Sequence, residues 1–195
     1  MAGAGRIARF RRVISKEDVR SLSRRYFVAN GFDGTLTCIG VVVGAYLSGV
    51  TDGFAIIGIG LGAAVGLGVS GIWAVWEIER AETSMEQREL ETAMLTDLSN
   101  TRITRELQTE QIVLALAAAS GPVIGIFLTL TPFLLVDVFL SPLQALLASI
   151  GLGIALLGGV GAYLGIISEQ RPAVGAIRMG LAGVVVAVIS ILLPG

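Results

Sequence analysis

The sequence predicts an all-α fold: a polytopic helical membrane protein with five transmembrane helices and a short cytoplasmic helical hairpin between spans two and three. Three observations lead there. First, 54% of the 195 residues are hydrophobic and only 15% are charged, where a soluble domain of this size carries roughly a quarter. Second, five apolar stretches, at about 26–48, 54–76, 112–135, 143–167 and 174–194, reach or nearly reach the length needed, about 20 helical residues for a hydrocarbon core of about 30 Å. Third, no polar stripe at a period of 3.6 residues runs along them, as it would on long helices at the surface of a soluble protein.

The elements follow in order. Residues 1–25 form a basic segment of net charge +6, with apolar residues at Ile7, Phe10, Val13, Ile14, Val19 and Leu22. Ser15 with Asp18 three residues on predicts a capped helix start. An Arg-rich amphipathic segment beside a first span reads as an anchor on anionic lipid headgroups. Residues 26–76 supply spans one and two. The acidic stretch 77–110 separates them from spans three to five in 111–195. Eight of the 14 Lys and Arg precede Tyr26; Arg80, Arg88, Arg102 and Arg105 lie between spans two and three, and Arg171 and Arg178 between four and five. Five spans with a cytoplasmic N-terminus place all of these on the inner side, so the C-terminus is expected outside or in a lumen. The basic leader is too long for a cleaved signal peptide.

Histidine is absent and Cys38 stands alone. This excludes a Ser-His-Asp triad, a zinc-protease motif, a Glu-x-x-His di-iron site and a disulfide framework. An intramembrane aspartyl protease would need a second deep aspartate, and Asp52 and Asp137 both fall at the outer boundary. No enzymatic activity and no nucleic-acid partner is expected.

Residues 77–110 carry nine acids against four arginines and neither Gly nor Pro. Good helix formers dominate, so span two is predicted to continue as one helix to about Leu95. A turn at Asp97–Asn100 and a second helix from about Thr101 should follow. Glu79, Glu82, Glu86 and Glu89 recur at intervals of three, four and three, which sets four carboxylates on one helical face. Such a face is either simply solvated or a binding surface for a hard cation, whose preferred ligands are carboxylate oxygens. Glu106 and Glu110 on the returning helix are further metal-binding candidates.

Asp33 is the single charge in span one, seven residues past Tyr26, or roughly 10 Å along a helix axis. An ionised group deep in a bilayer costs roughly 2.5–3.5 kcal/mol on insertion scales and usually faces a cavity or a partner. The structural alternative is an ion pair with Arg178. Asp33, Thr37, Gly40 and Gly44 fall at intervals of four, three and four and so share one face, polar first and small thereafter, which suits an ion pathway between close helices. Gly58, Gly62, Gly66 and Ser70 in span two repeat a small-xxx-small pattern, for which close helix packing is the plainer explanation.

The run "DGTLTCIGVVVGA" (33–45) resembles the first-span signature of the vacuolar iron transporter family, an Asp-Gly followed by a Thr- and Gly-rich run. "LTPFLL" (130–135) resembles that family's Leu-Pro-Tyr/Phe turn, and "GAYLGIIS" in span four also fits, as do the span count and the polar insert. The resemblance implies a homodimer that moves ferrous iron or manganese out of the cytosol in exchange for protons, with no resident cofactor. It also implies that Asp33 is an intramembrane metal ligand and that the Glu-x-x-Glu pairs belong to a cytoplasmic metal-binding region. Three departures stand out: Phe32 precedes the Asp-Gly where the family usually has Asn, "VSGIWAVWE" lacks the family's span-two methionine, and the polar insert is short. Together they point to a reduced member in a prokaryotic cell membrane. A non-transporting scaffold that docks a partner on the acidic hairpin is the alternative, and it leaves Asp33 without a purpose.

Overall fold

The computed structural model describes residues 10–97, 101–136 and 138–193. Among these, five long helices follow one another: α1 (Glu17–Leu47), α2 (Gly53–Met94), α3 (Arg102–Leu130), α4 (Pro142–Ile167) and α5 (Pro172–Leu192). A 3-10 turn at Thr131–Leu135 follows α3, with Pro132 in its first turn, where a proline costs no intrahelical hydrogen bond. All five are long and apolar enough to cross a membrane. The expected all-α membrane fold is therefore what the chain adopts.

Two boundaries differ instructively from expectation. Span one is not a separate helix behind an amphipathic one, since α1 runs unbroken from Glu17 through both. Ser15 does not cap it. The Ser15 hydroxyl donates back to the Arg12 carbonyl at 2.7 Å, closing a helical turn over residues 10–14 instead. The continuation of span two is as predicted: α2 has 42 residues, about 63 Å at 1.5 Å per residue and roughly twice the hydrocarbon thickness. It ends at Met94, one residue before the expected Leu95, and α3 begins at Arg102. Of the predicted turn between them, residues 98–100 lie outside the described residues, as do Ile7 and Asp137.

By its contacts the chain divides into two compact units, and α1, α2 and α3 each contribute to both. The first comprises Met1–Phe27 and Gly68–Ser120. Its core joins Val13 and Val19 to Val75, Val113, Leu114, Ala115 and Ala118, with Leu22 and Tyr26 packed alongside. The second comprises Val28–Leu67 and Gly121–Gly195. Here Cys38, Val42, Val43, Ile56, Ala64, Ile126, Leu130 and Phe133 form one cluster, while Ile39, Leu157 and Ala187 form another.

Small residues set the closest approaches in the second unit. A Cβ on Gly34 would lie 2.5 Å from Pro122 Cα, so glycine is what lets α1 meet the proline of α3. Gly161 of α4 and Gly175 of α5 meet backbone to backbone. The α4 start is fixed by a capping box, in which Ser141 Oγ accepts from the Gln144 amide and the Gln144 side chain accepts from the Ser141 amide. Such reciprocal bonds satisfy amides that a helix start otherwise leaves unpaired. On α2 the buried stripe is Gly53, Ile56, Gly60 and Ala64. The Gly58, Gly62, Gly66 and Ser70 stripe is exposed, and no described atom of the chain lies within 4 Å of a Cβ on any of its three glycines. Within one chain, then, the packing predicted for that stripe occurs on its neighbour: with small residues on two faces, spacing alone does not choose between them.

Candidate metal sites

The intramembrane candidate is built on α1. Around this helix Gly34, Thr35, Cys38, Ile39, Val42 and Val43 are buried. Thr35 Oγ1 donates to the Gly31 carbonyl at 2.8 Å, and Cys38 Sγ faces the Ile126 carbonyl. Asp33 points the other way and is exposed, with Gly44 exposed and Thr37 half-buried on the same face. Among the described residues neither the Asp33 carboxylate nor the Thr37 hydroxyl has a hydrogen bond or ion pair. The ion pair with Arg178 is absent too, and Arg178 is itself exposed. Gly40 sits at the edge of this face, where a Cβ would meet Ser190 Oγ at 3.6 Å and Val186 Cγ1 at 3.8 Å on α5. No described atom lies within 4 Å of a Cβ on Gly44. The face is therefore polar at Asp33 and Thr37, small at Gly40 and Gly44, and open along most of its length.

The candidates beyond the apolar spans separate into two groups. Glu79, Glu82, Glu86 and Glu89 do share α2, but only Glu79 is buried, at 8% exposure, while the other three face outward. Tyr26 of α1 donates its hydroxyl to Glu79 Oε1 at 2.8 Å, and Gln111 of α3 donates to the Glu79 backbone carbonyl at 3.4 Å. Burial raises the proton affinity of Glu79, and the charges of Glu82 and Glu110 raise it further. The Tyr26 hydrogen bond, which favours the carboxylate, opposes both.

Glu106 and Glu110 lie one helical turn apart on α3 and meet the basic N-terminal segment. Lys16 Nζ lies 2.5 Å from Glu110 Oε1 and 3.7 Å from Glu106 Oε2, and Arg12 Nη1 lies 3.4 Å from Glu106 Oε1. These contacts favour the protonated ammonium, and the pKa of Lys16 is raised, first by its hydrogen bond to Glu110. Among the described residues no three Asp, Glu or Cys side chains converge closely enough to hold a metal ion. The predicted glutamates are thus brought near one another without forming a closed ligand set within one chain. Tyr26, Lys16 and Gln111 are the site neighbours that sequence spacing did not find. Their partners lie 53, 94 and 32 residues away, beyond any local pattern.

Comparison with known proteins bears on this arrangement. A family model described as the VIT family matches residues 73–194. The match begins within α2, so the Asp33–Gly34 signature lies outside it, and the stretch from the glutamate face to the end of α5 carries it. An uncharacterized protein of the archaeon Methanocaldococcus jannaschii is 32% identical over 168 residues, covering 85% of this chain and 85% of the relative. The members of the family are membrane transporters of metal ions. With five membrane-length helices and a match over more than half its length, the chain is an integral membrane protein that belongs to the VIT family.

Proposed function

We propose that this protein exports divalent metal, ferrous iron or manganese, from the cytosol in exchange for protons. The observation that carries the reading is the pair Asp33 and Thr37, two polar groups one helical turn apart in an apolar span, neither spent on a partner among the described residues. Thr35 and Thr129, by contrast, return their hydroxyls to the carbonyls of their own helices. A carboxylate and a hydroxyl left open are suitable oxygen ligands for a hard cation.

One Asp33 offers at most two oxygens, whereas such cations usually take about six ligands. A homodimer related by a two-fold axis would bring Asp33 and Thr37 of both copies together, with the open surface at Gly44 permitting close approach. Carboxylates must be deprotonated to bind metal, so protons compete for the same oxygens, and an inward proton gradient then drives metal outward. Glu79, Glu82, Glu86, Glu89, Glu106 and Glu110 collect metal on the cytoplasmic side, which is also the side of the N-terminus. Arg11, Arg20, Arg24 and Arg25 stay exposed, available to the anionic headgroups of a prokaryotic cell membrane.

The test is metal uptake into proteoliposomes holding purified protein, with Fe2+ and Mn2+ in separate and competing assays under an imposed pH gradient. Asp33→Asn should insert and fold as the wild type does and carry no metal. Wild-type transport by that variant would make Asp33 structural and defeat the mechanism. Cross-linking of single cysteines along α1 on a Cys38→Ala background checks the dimer: position 44 should link and position 42, on the buried side, should not.

A further inference from the structure

Lys16 holds the place where a metal ion would compete. Its ammonium lies between two carboxylates, Glu106 and Glu110, that face the same way one turn apart on α3. Arg12 takes a second oxygen of Glu106. The segment carrying both cations is not loosely draped. Val13, between them in sequence, is fully buried, and Val19 is 3% exposed, both inside the cluster formed with Val75, Val113 and Leu114. The glutamate side chains are 18–20% exposed, against 53% for Arg12 and 40% for Lys16. The cations therefore cap the carboxylates from the solvent side. The amphipathic face that reads in sequence as lipid-seeking is, at Val13 and Val19, committed to protein.

We propose that the N-terminal segment is a built-in competitor for metal: Arg12 and Lys16 occupy Glu106 and Glu110 until a divalent cation displaces them, and displacement releases the segment from α3. The inference rests on the cytoplasmic glutamates binding metal as proposed above. The buried Val13 and Val19 hold both cations against the carboxylates, so a latch of singly charged groups sets a threshold that metal must exceed. The two carboxylates cannot serve both partners at full strength, and linkage then requires reciprocity: whatever factor the latch takes from metal affinity, metal takes from latch closure.

The probe is Mn2+ alone, titrated into full-length protein in detergent and followed by the electron paramagnetic resonance signal of free Mn2+. An Asp33→Asn background removes the intramembrane contribution. Replacing both cations, Arg12→Gln with Lys16→Gln, should tighten the Glu106- and Glu110-dependent binding about tenfold, the size expected for three partly exposed ion pairs acting together. Arg11→Gln with Arg20→Gln, equal in charge change, should leave it unaltered, and Lys16→Arg should retain the latch. Hydrogen exchange of amides 17–24, read on the unmutated latch so that a poorly folding variant does not decide the matter, should speed up by a similar factor at saturating Mn2+. Binding that depends on Glu106 and Glu110 but is the same in the double variant, or exchange that ignores Mn2+, overturns the latch while leaving the metal site standing. Binding insensitive to Glu106→Gln with Glu110→Gln overturns the site at these glutamates and the latch with it.

Discussion

Alanine at Gly34 tests the packing that presents Asp33. A methyl group there would stand 2.5 Å from Pro122 Cα, 2.6 Å from Pro122 Cβ and 3.1 Å from the Pro122 carbonyl oxygen. Carbon atoms settle about 3.5–4.0 Å apart, so α1 and α3 must part locally by about 1 Å. No side-chain rotation relieves the clash, because the proline ring and both helix backbones are fixed. Adding a methyl to a packed interior costs about 1–3 kcal/mol, and with backbone on both sides the upper end applies. Alanine returns about 1 kcal/mol of helix propensity over glycine, leaving a net loss of about 2 kcal/mol. For a chain of this length each kcal/mol moves Tm by roughly 2–4 °C, so Gly34→Ala should unfold roughly 4–8 °C below wild type. Gly44→Ala is the matched control on the same helix, with no described atom of the chain within 4 Å of its new methyl. In a detergent that keeps the chain monomeric it should hold or gain stability. Thermal unfolding followed by loss of the monodisperse chromatographic peak reads both. Equal Tm values for the two variants, or a larger loss at Gly44, would refute the assignment of the packed and open faces.

Gly161→Ala should destabilise the α4–α5 pair by about 2–3 kcal/mol, since its methyl would run into the Gly175 carbonyl, while Gly159→Ala, with no described neighbour within 4 Å, should be tolerated; the same unfolding assay separates them. Ser149→Ala leaves the buried Thr129 carbonyl without the 2.7 Å hydrogen bond it now accepts and should cost about 1 kcal/mol, seen as a small drop in Tm. Glu79 gives a pH dependence whose sign is fixed: its raised proton affinity means the folded chain holds a proton that the unfolded chain releases, so stability is greatest below the ordinary glutamate pKa and falls as pH climbs through the raised value. Glu79→Gln should flatten the unfolding profile above the ordinary glutamate pKa, and Tyr26→Phe, which removes the hydrogen bond favouring the carboxylate, should extend the fall to higher pH.

The spans were legible because membrane length and apolarity are properties of a continuous stretch, needing no knowledge of partners. The long α2 was legible for the same local reason, an unbroken run of helix formers from Trp76 onward without Gly or Pro. What sequence left open was which face meets what. An amphipathic segment presents the same pattern to lipid as to another helix, so Val13 and Val19 read as membrane-facing while α2 and α3 hold them. On α2 the glycines run along two faces at once, and the one carrying Gly60 is decided by Leu130, 70 positions away, whose methyl groups fill the space a side chain would need. The glutamate face was correctly placed on one helix, yet its burial is uneven, because Tyr26 and Gln111 reach Glu79 alone.

Exposure carries a different meaning here than in a soluble domain. Phe127, Val185 and Ile189 are exposed at no cost, because lipid is as apolar as they are. Asp33 is the informative case. It adjoins Gly34 and Thr35, both buried, so α1 is gripped through one side and leaves its carboxylate on the other. Had the carboxylate served the stability of the isolated chain, a position facing a hydrogen-bond donor or Arg178 would have satisfied it, and among the described residues it pairs with neither. A charge held inside an apolar span costs roughly 2.5–3.5 kcal/mol on insertion scales, and a ligand that binds the folded state would offset that cost. The divalent cation and second copy proposed above would do so twice over: the cation would neutralise both carboxylates, and the partner would close the open face at Gly44 over the polar pair. The proposed mechanism therefore couples two readouts: Asp33→Asn should raise the Tm of the isolated chain, because an uncompensated charge is removed from an apolar span, and the same variant should carry no metal, so a variant that gains stability and still transports would refute it.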